Sequence, residues 1–439
     1  FDSWAGNGLP EWSYAHCLPY FKKMETWSGG TNDYRGGDGP LNITAPVLSS
    51  PLGHVFLEAC RQAGHPRALD TNGMIQDGAG VSDQTIHRGR RMSTARAYID
   101  PVRGRSNLTV RTECEVSRIL LDGLCATGVE YVRFGQVHRA MAGNEVILCA
   151  GALNSPKLLM ISGIGDAVAL GEHGIAVRKH LPMVGKNLQD HLEVYIQHSC
   201  KKPVSMQPAL RWWNKPWIGF QWLFLRKGPA ATNHFEAGGF VRSNEEVDYP
   251  NLMFHFLPLA IRYDGTYPST SHGYQVHIGP MYSGSRGSVK LKTADPFDKP
   301  ALRFNYLSTE QDRREWVEAI HCARRILGQP AFSEFSGGEI SPGTEVETDE
   351  QILQWVARNG ETAYHPSCTC SMGRGPQAVV DPASMRVHGV EGLRVVDASS
   401  MPYVPNANIN APTIMLAEKA ADLILGNSPL PAENHQFFR

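Results

Sequence analysis

Apolar positions recur at helical spacing over residues 12–26 (WSYAHCLPYFKKMET), where Pro19 predicts a helix in two pieces. They recur again over residues 51–64, with Leu52, Val55, Phe56 and Ala59 on one face. From Asn107 the period falls to two. The stretches LTVRT, EVSRILLD, ATGVEYVRF and HRAMAGNEVILCA predict a small antiparallel meander returning to a buried strand over residues 145–150. That strand runs through Gly151 into a helix from about Ser155 to Ile161. The middle of the chain, roughly 196 to 360, interleaves aromatics and prolines (RWWNKPWIGFQWLF, NLMFHFLPLAI, SRGSVKLKTADP) and predicts a separate layer of mixed strands and helices. A last strand over residues 393–396 leads through DASSMPYVPNANINAP to a closing helix, with Pro412 in its first turn and Gly426 at its C-terminal end.

Composition narrows the class. With 439 residues, 42% of them apolar and 19% charged, the chain can bury a large core and divide into two joined domains. A formal net charge of −1 offers no electrostatic reason for a nucleic-acid partner. No apolar run approaches the roughly 20 residues that span a bilayer. The longest, residues 218–225, is short and contains Gln221, so membrane contact, if present, is peripheral. The nine cysteines form no CxxC pair and are expected as reduced thiols in an intracellular compartment. The chain opens on Phe1 with FDSWAGNG, without a Met or a targeting pattern, and is expected to lack an N-terminal part of the natural protein.

Single residues carry little chemistry by themselves. The closing helix follows a polar loop with Asp397, Asn406, Asn408 and Asn410, and a helix N-terminus there could hold an anion. His365 in TAYHPSCTCSMG and Glu236 in NHFEAGGF have equally good structural readings, as a solvated or core histidine and as a partner of a nearby arginine. GIGDAV at 163–168 follows a helix rather than a strand, so it does not qualify as a dinucleotide loop. There is no HExxH, no Walker loop and no zinc-spaced Cys/His cluster, so no metal is expected.

Together the motifs are more specific. GALNSPKLLMISGIG (151–165), LPMVGKNLQDHL (181–192), AYHPSCTCSMG, GLRVVDASSMP and NINAPTIMLAEKAADLILG resemble, in order and spacing, the conserved blocks of the glucose–methanol–choline oxidoreductase family. FDSWA resembles the stretch soon after that family's first signature. DHLEVYIQHSCKKPVS, FEAGGFVRS, FHFLPLAI and YQVHIGPM are most similar to its choline-oxidising members. Two positions depart from those members: Ala407 stands where they more often carry Gly, and Ser371 where they commonly carry Lys.

The resemblance implies a mixed α/β fold. A Rossmann-like FAD-binding domain, with its first strand and GxGxxG turn missing, would join a substrate-binding domain built on an antiparallel sheet with flanking helices. The expected division is 1–83 for lid and cap helices, 84–195 for the FAD segment, 196–360 for the substrate domain and 361–439 for the returning catalytic segment. The family's catalytic pair falls on His365 and Asn408. Glu236 falls on the carboxylate that faces the substrate's onium group, with Trp213, Trp217, Trp222, Phe235 and Tyr364 as candidate aromatic partners. Val116, Ala398 and Asn410 fall on FAD contacts. The implied reaction is oxidation of a primary alcohol with hydride transfer to FAD, choline to betaine aldehyde and onward to glycine betaine, with a quinone-type electron acceptor. The chain as it stands is expected to hold FAD weakly or not at all. The alternatives are another aliphatic or aromatic alcohol, and a catalytically inert, flavin-free binding protein.

Overall fold

The structure is a computed structural model that describes residues 1–262 and 264–437. Two hydrophobic cores organise it. The first gathers the helices Tyr14–Met24, Gly151–Ile161 and Asn410–Leu425 around residues of the segment 368–404. Beside them lies the expected meander, Glu115–Asp122, Cys125–Arg133 and Gln136–Met141, paired antiparallel in that order. LTVRT forms no strand. The next strand is short, Val146–Leu148, and pairs in parallel with Leu393–Val395. Leu148 is buried as expected, but Ile147 is 40% exposed. Helix Gly151–Ile161 starts at Gly151 itself, whose φ of 80° suits glycine. Pro19 lies inside one continuous helix instead of dividing two, and the closing helix ends on Gly426 in the left-handed region.

The second core lies under a six-stranded antiparallel sheet. Its main path runs Ala237–Val241, Leu252–Leu257, Gly273–Pro280, Leu192–Cys200, Ser336–Ser341, and Glu361–Thr362 pairs with the start of Leu192–Cys200. Strand alternation separates two faces. Val194, Ile196, Phe254, Phe256, Val276 and Ile278 point into the core, against helices Pro51–Gln62, Glu310–Leu327 and Asp349–Asn359. Phe56 stacks on Phe256 with centroids 4.8 Å apart. The opposite face carries Glu193, Tyr195, His255 and His277, brought side by side by the registers Tyr195↔His277 and His255↔His277. That polar face positions the site.

One buried ionic cluster fixes the segment between strands Glu25–Trp27 and Leu41–Ile43, which pair in parallel. Arg35 is 2% exposed and meets three carboxylates, with Glu25 at 2.9 Å, Asp70 at 2.9 Å and Asp83 at 2.8 Å. Its guanidinium lies over the Trp27 ring at 4.2 Å. Glycine is required beside it: a Cβ on Gly36 would stand 1.9 Å from the Lys22 carbonyl oxygen. Removing the cation strands three acids. Arg35→Leu should therefore cost about 3–5 kcal/mol in urea unfolding, and a loss under 1 kcal/mol would show that water reaches the cluster.

The tryptophan-rich segment forms neither core nor cavity wall. Helix Lys215–Phe220 continues as Gln221–Leu225, and Trp212, Trp213, Trp217, Phe220, Leu223 and Phe224 are all exposed. Among the described residues no helix is long and apolar enough to cross a membrane.

Candidate functional site

The sheet's polar face closes one side of a cavity of about 1180 Å³, large for a ligand site. Glu193, His255, His277 and Phe235 line that side, and Asn406, Asn408, Asn410 and Pro412 line another. The segment 189–191 pairs with the segment 363–367 that carries His365. Asp190, buried, accepts the backbone N–H of His365 at 2.9 Å and the hydroxyls of Tyr306 and Thr362. Burial raises the Asp190 pKa, and the hydrogen bonds from Thr362, Tyr306 and His365 oppose that rise. Asp190→Ala would leave these donors unpaired, and it should cost about 2–4 kcal/mol by urea unfolding. A mutant as stable as the parent would mean that water replaces the carboxylate.

His365 and Asn408, 43 positions apart, come together here. Asn408 Nδ2 lies 3.2 Å from His365 Nε2, and His365 Nδ1 lies 3.0 Å from His191 Nδ1. His191 Nε2 in turn lies 3.1 Å from the Met281 carbonyl oxygen. Burial is the main cause that lowers His365 to about 3 and His191 to about 4, and the neighbouring His191 lowers His365 further. Both rings are therefore neutral near pH 7. Neutrality then assigns every proton, because the carbonyl can only accept. His191 Nε2–H donates to Met281, His365 Nδ1–H donates to His191, and the lone pair of His365 Nε2 is left facing Asn408. His365 itself sits just behind the cavity wall, and Asn408 stands on it.

A third imidazole is close. His255 lines the cavity, interacts with Asn408 and is held at about 4 by burial. Its Nε2 is buried without a hydrogen-bond partner among the described residues. His277 Nδ1 lies 3.1 Å from Glu193 Oε1, and Phe235 contacts both His255 and His277 edge-on. Sequence reasoning missed Glu193, His191, His255 and His277. The signal was present in LEVYIQH, LMFHFL and GYQVHIGP, where polar residues alternate with apolar ones in strands buried on both faces.

The other nominated residues are placed less centrally. Glu236 is buried, and its carboxylate accepts the Ser49 N–H and Ser49 hydroxyl, each at 2.6 Å. It is one residue beyond Phe235, just before strand Ala237–Val241, but it does not line the cavity. Of the aromatic candidates, only Phe235 lines the cavity. Trp213, Trp217 and Tyr364 are exposed, and Trp222 donates its indole N–H to the Gly89 carbonyl. Asn410 lines the cavity, whereas Val116 lies opposite Tyr131 in the meander and Ala398 is buried beside the loop 367–370. Asp397 does not face an anion; it receives the Gly151 N–H and Ser155 hydroxyl at the start of helix Gly151–Ile161.

The loop before Asn408 is strained. Ala407 has a φ of 65°, a region that disfavours any residue with a Cβ. Ala407→Gly should raise stability by about 0.5–1 kcal/mol, read as a higher melting temperature. A lower one would mean that the methyl's contact with the Phe240, Met253 and Met281 cluster outweighs the strain.

The donor set suits one end of FAD. Helix Asn410–Leu425 has no side-chain cap at its N-terminus, so the N–H groups of Asn410 and Ala411 meet the cavity wall at the positive end of the helix dipole. Together with Asn408 they can hold electron-rich ring atoms of a flavin.

Comparison with known proteins gives the family of the chain. The family description "GMC oxidoreductase" matches residues 1–193 with its N-terminal part and residues 283–417 with its C-terminal part. An oxygen-dependent choline dehydrogenase of Staphylococcus aureus (strain JH9) is 56% identical over 444 residues, covering 100% of this chain and 78% of that protein. The crystal structure of pyridoxine 4-oxidase from Mesorbium loti superposes with a TM-score of 0.86 at 30% identity, covering 98% of this chain and 80% of that one. A formate oxidase structure superposes with a TM-score of 0.90 at 26% identity, covering 97% and 80%. The chain belongs to the GMC oxidoreductase family of FAD-dependent enzymes, which act on CH–OH groups.

Proposed function

We propose that the chain oxidises choline to betaine aldehyde, with His365 as the base and Asn408 as the partner of the alcohol oxygen. The observation that carries this reading is the contact of His365 Nε2 with Asn408 Nδ2, which stands on the cavity wall, at 3.2 Å. A hydroxyl entering between them gives its proton to Nε2 and receives the Asn408 N–H on its oxygen. As the O–H bond breaks, its electron pair forms the carbonyl, and the hydride leaves the carbon with the C–H pair. FAD, when bound, supplies the acceptor for that hydride. His365 is a weak base, and the Glu193 carboxylate is among its neighbours the one that raises its basicity.

Choline as the substrate is supported by the Staphylococcus aureus relative and by the cavity's chemistry. A quaternary ammonium has no N–H, so carboxylates and aromatic faces are its natural partners. Glu193 and Phe235 stand on the wall in those roles. Glu236, nominated by resemblance, is the second carboxylate in this reading. It would act from behind Phe235, through its charge.

We further propose a quinone-type acceptor for the electrons, on the family resemblance alone and against the name of the Staphylococcus aureus relative, which is oxygen-dependent. Anaerobic turnover with a soluble quinone tests it directly: choline oxidation should continue, and strict dependence on oxygen with one peroxide per choline would refute it.

A further inference from the structure

We propose that the aromatic segment around helix Lys215–Phe220 docks the protein on the surface of an anionic lipid bilayer. Trp212, Trp213, Trp217, Phe220, Leu223 and Phe224 are between 44% and 74% exposed, and Trp212 meets Trp213 edge-on at 5.9 Å. Trp217 stacks on Phe220 at 5.3 Å and Phe220 meets Phe224 at 4.9 Å, so the rings make a continuous ridge at i, i+3 and i+7. Soluble surfaces rarely leave so many large apolar side chains together. The ridge is fixed to the body from its other side: Trp222 Nε1 donates to the Gly89 carbonyl at 2.8 Å, and the Arg226 guanidinium lies over the Trp222 ring at 4.6 Å.

Charge selects the occupant. From Pro203 to Phe235 there is no Asp or Glu, and Arg211, Lys215, Arg226 and Lys227 flank the rings. The hairpin that holds Trp222 adds exposed Arg88, Arg90 and Arg91, again with no acid between Gln84 and Ile99. The whole chain carries a net charge of only −1, so this basic stretch is a local feature. Aromatic rings between basic side chains fit the headgroup layer, where rings enter the interface and cations meet anionic phosphates. A second copy of the chain fits poorly, because a twofold contact through this surface would set cations against cations. Arg91 and Met92 also line the cavity rim, so a bilayer here would lie next to its mouth.

Co-sedimentation with vesicles tests the proposal independently of the reaction. The chain should bind vesicles of phosphatidylcholine with phosphatidylglycerol, bind pure phosphatidylcholine weakly, and leave the anionic vesicles as salt rises. Trp212→Ser with Phe224→Ser should lower partition at least about tenfold, and so should Lys215→Glu with Lys227→Glu. Unchanged circular dichroism would show that both variants fold. Brominated lipid should quench the parent's tryptophan emission and leave that of the aromatic double variant less affected. Parent protein that fails to bind anionic vesicles overturns the proposal. So does equal binding by parent and variants, or a parent dimer that the aromatic variant converts to monomer without any vesicle binding.

Discussion

His365→Ala should lower kcat/KM for choline by about 10²–10⁴-fold, the usual contribution of a positioned base. Circular dichroism shows whether the variant folds, because loss of the ring takes their partner from the buried His191 Nδ1 and from the Asn408 amide. Asn408→Ala should fall in the same direction by less, because it positions the alcohol oxygen and removes no proton. In the proposed mechanism the two act on one hydroxyl, so the double variant should lose much less than the product of the single losses. Steady-state kinetics on all three variants checks this. Multiplying losses would mean that the two residues serve different steps.

The second large effect should fall on substrate choice. Glu193→Gln should raise KM for choline by roughly thirtyfold, the equivalent of losing about 2 kcal/mol from a desolvated ion pair. It should leave KM nearly unchanged for 3,3-dimethylbutan-1-ol, which has the same shape without the charge. It should also lower kcat, because the Glu193 charge favours protonated His365. Glu236→Gln is the comparison. The geometry expects a smaller effect on KM for choline, and mainly lost stability through the two Ser49 hydrogen bonds. A charge-selective KM effect in Glu236→Gln and none in Glu193→Gln would move the onium site behind Phe235 and overturn this assignment.

Buried neutral histidines also set an acid limit. His191, His198 and His255 are held at about 4 and His365 at about 3, in each case chiefly by burial, against an ordinary value of 6.5. The unfolded chain binds these protons below about pH 6.5 and the folded chain does not, so stability is flat above 6.5 and falls as pH drops toward 4. Each histidine contributes a slope of up to about 1.4 kcal/mol per pH unit in that window. Urea unfolding between pH 4.5 and 7.5 measures the slope. A flat profile would mean that water reaches these rings.

The architecture was largely readable because its signals are local or ordered. The helical period over 51–64, the meander after 115 and the Pro412–Gly426 frame of the closing helix each name an element directly. Pro19 misled because a proline inside a helix is tolerated when the packed face compensates, and Cys17, Leu18 and Tyr20 are buried around it. The site was less readable. His365 and Asn408 were found only as members of motifs, since nothing local marks a lone His or Asn. Glu193, His255 and His277 lie on three strands, and only their register shows that they share a face. Tryptophans of the aromatic run were expected beside the substrate's onium group; the run's missing acids were the sign of a surface and went unread.

The central claim is proton removal by His365 during hydride loss. Its most direct measurement is anaerobic rapid mixing of FAD-loaded protein with choline, following the bleaching of bound FAD in the parent and in His365→Gln. The account predicts that the variant bleaches about 10²–10⁴-fold more slowly, and that raising the pH restores part of the rate as the alcohol ionises without help. Equal bleaching rates at pH 7 would contradict it.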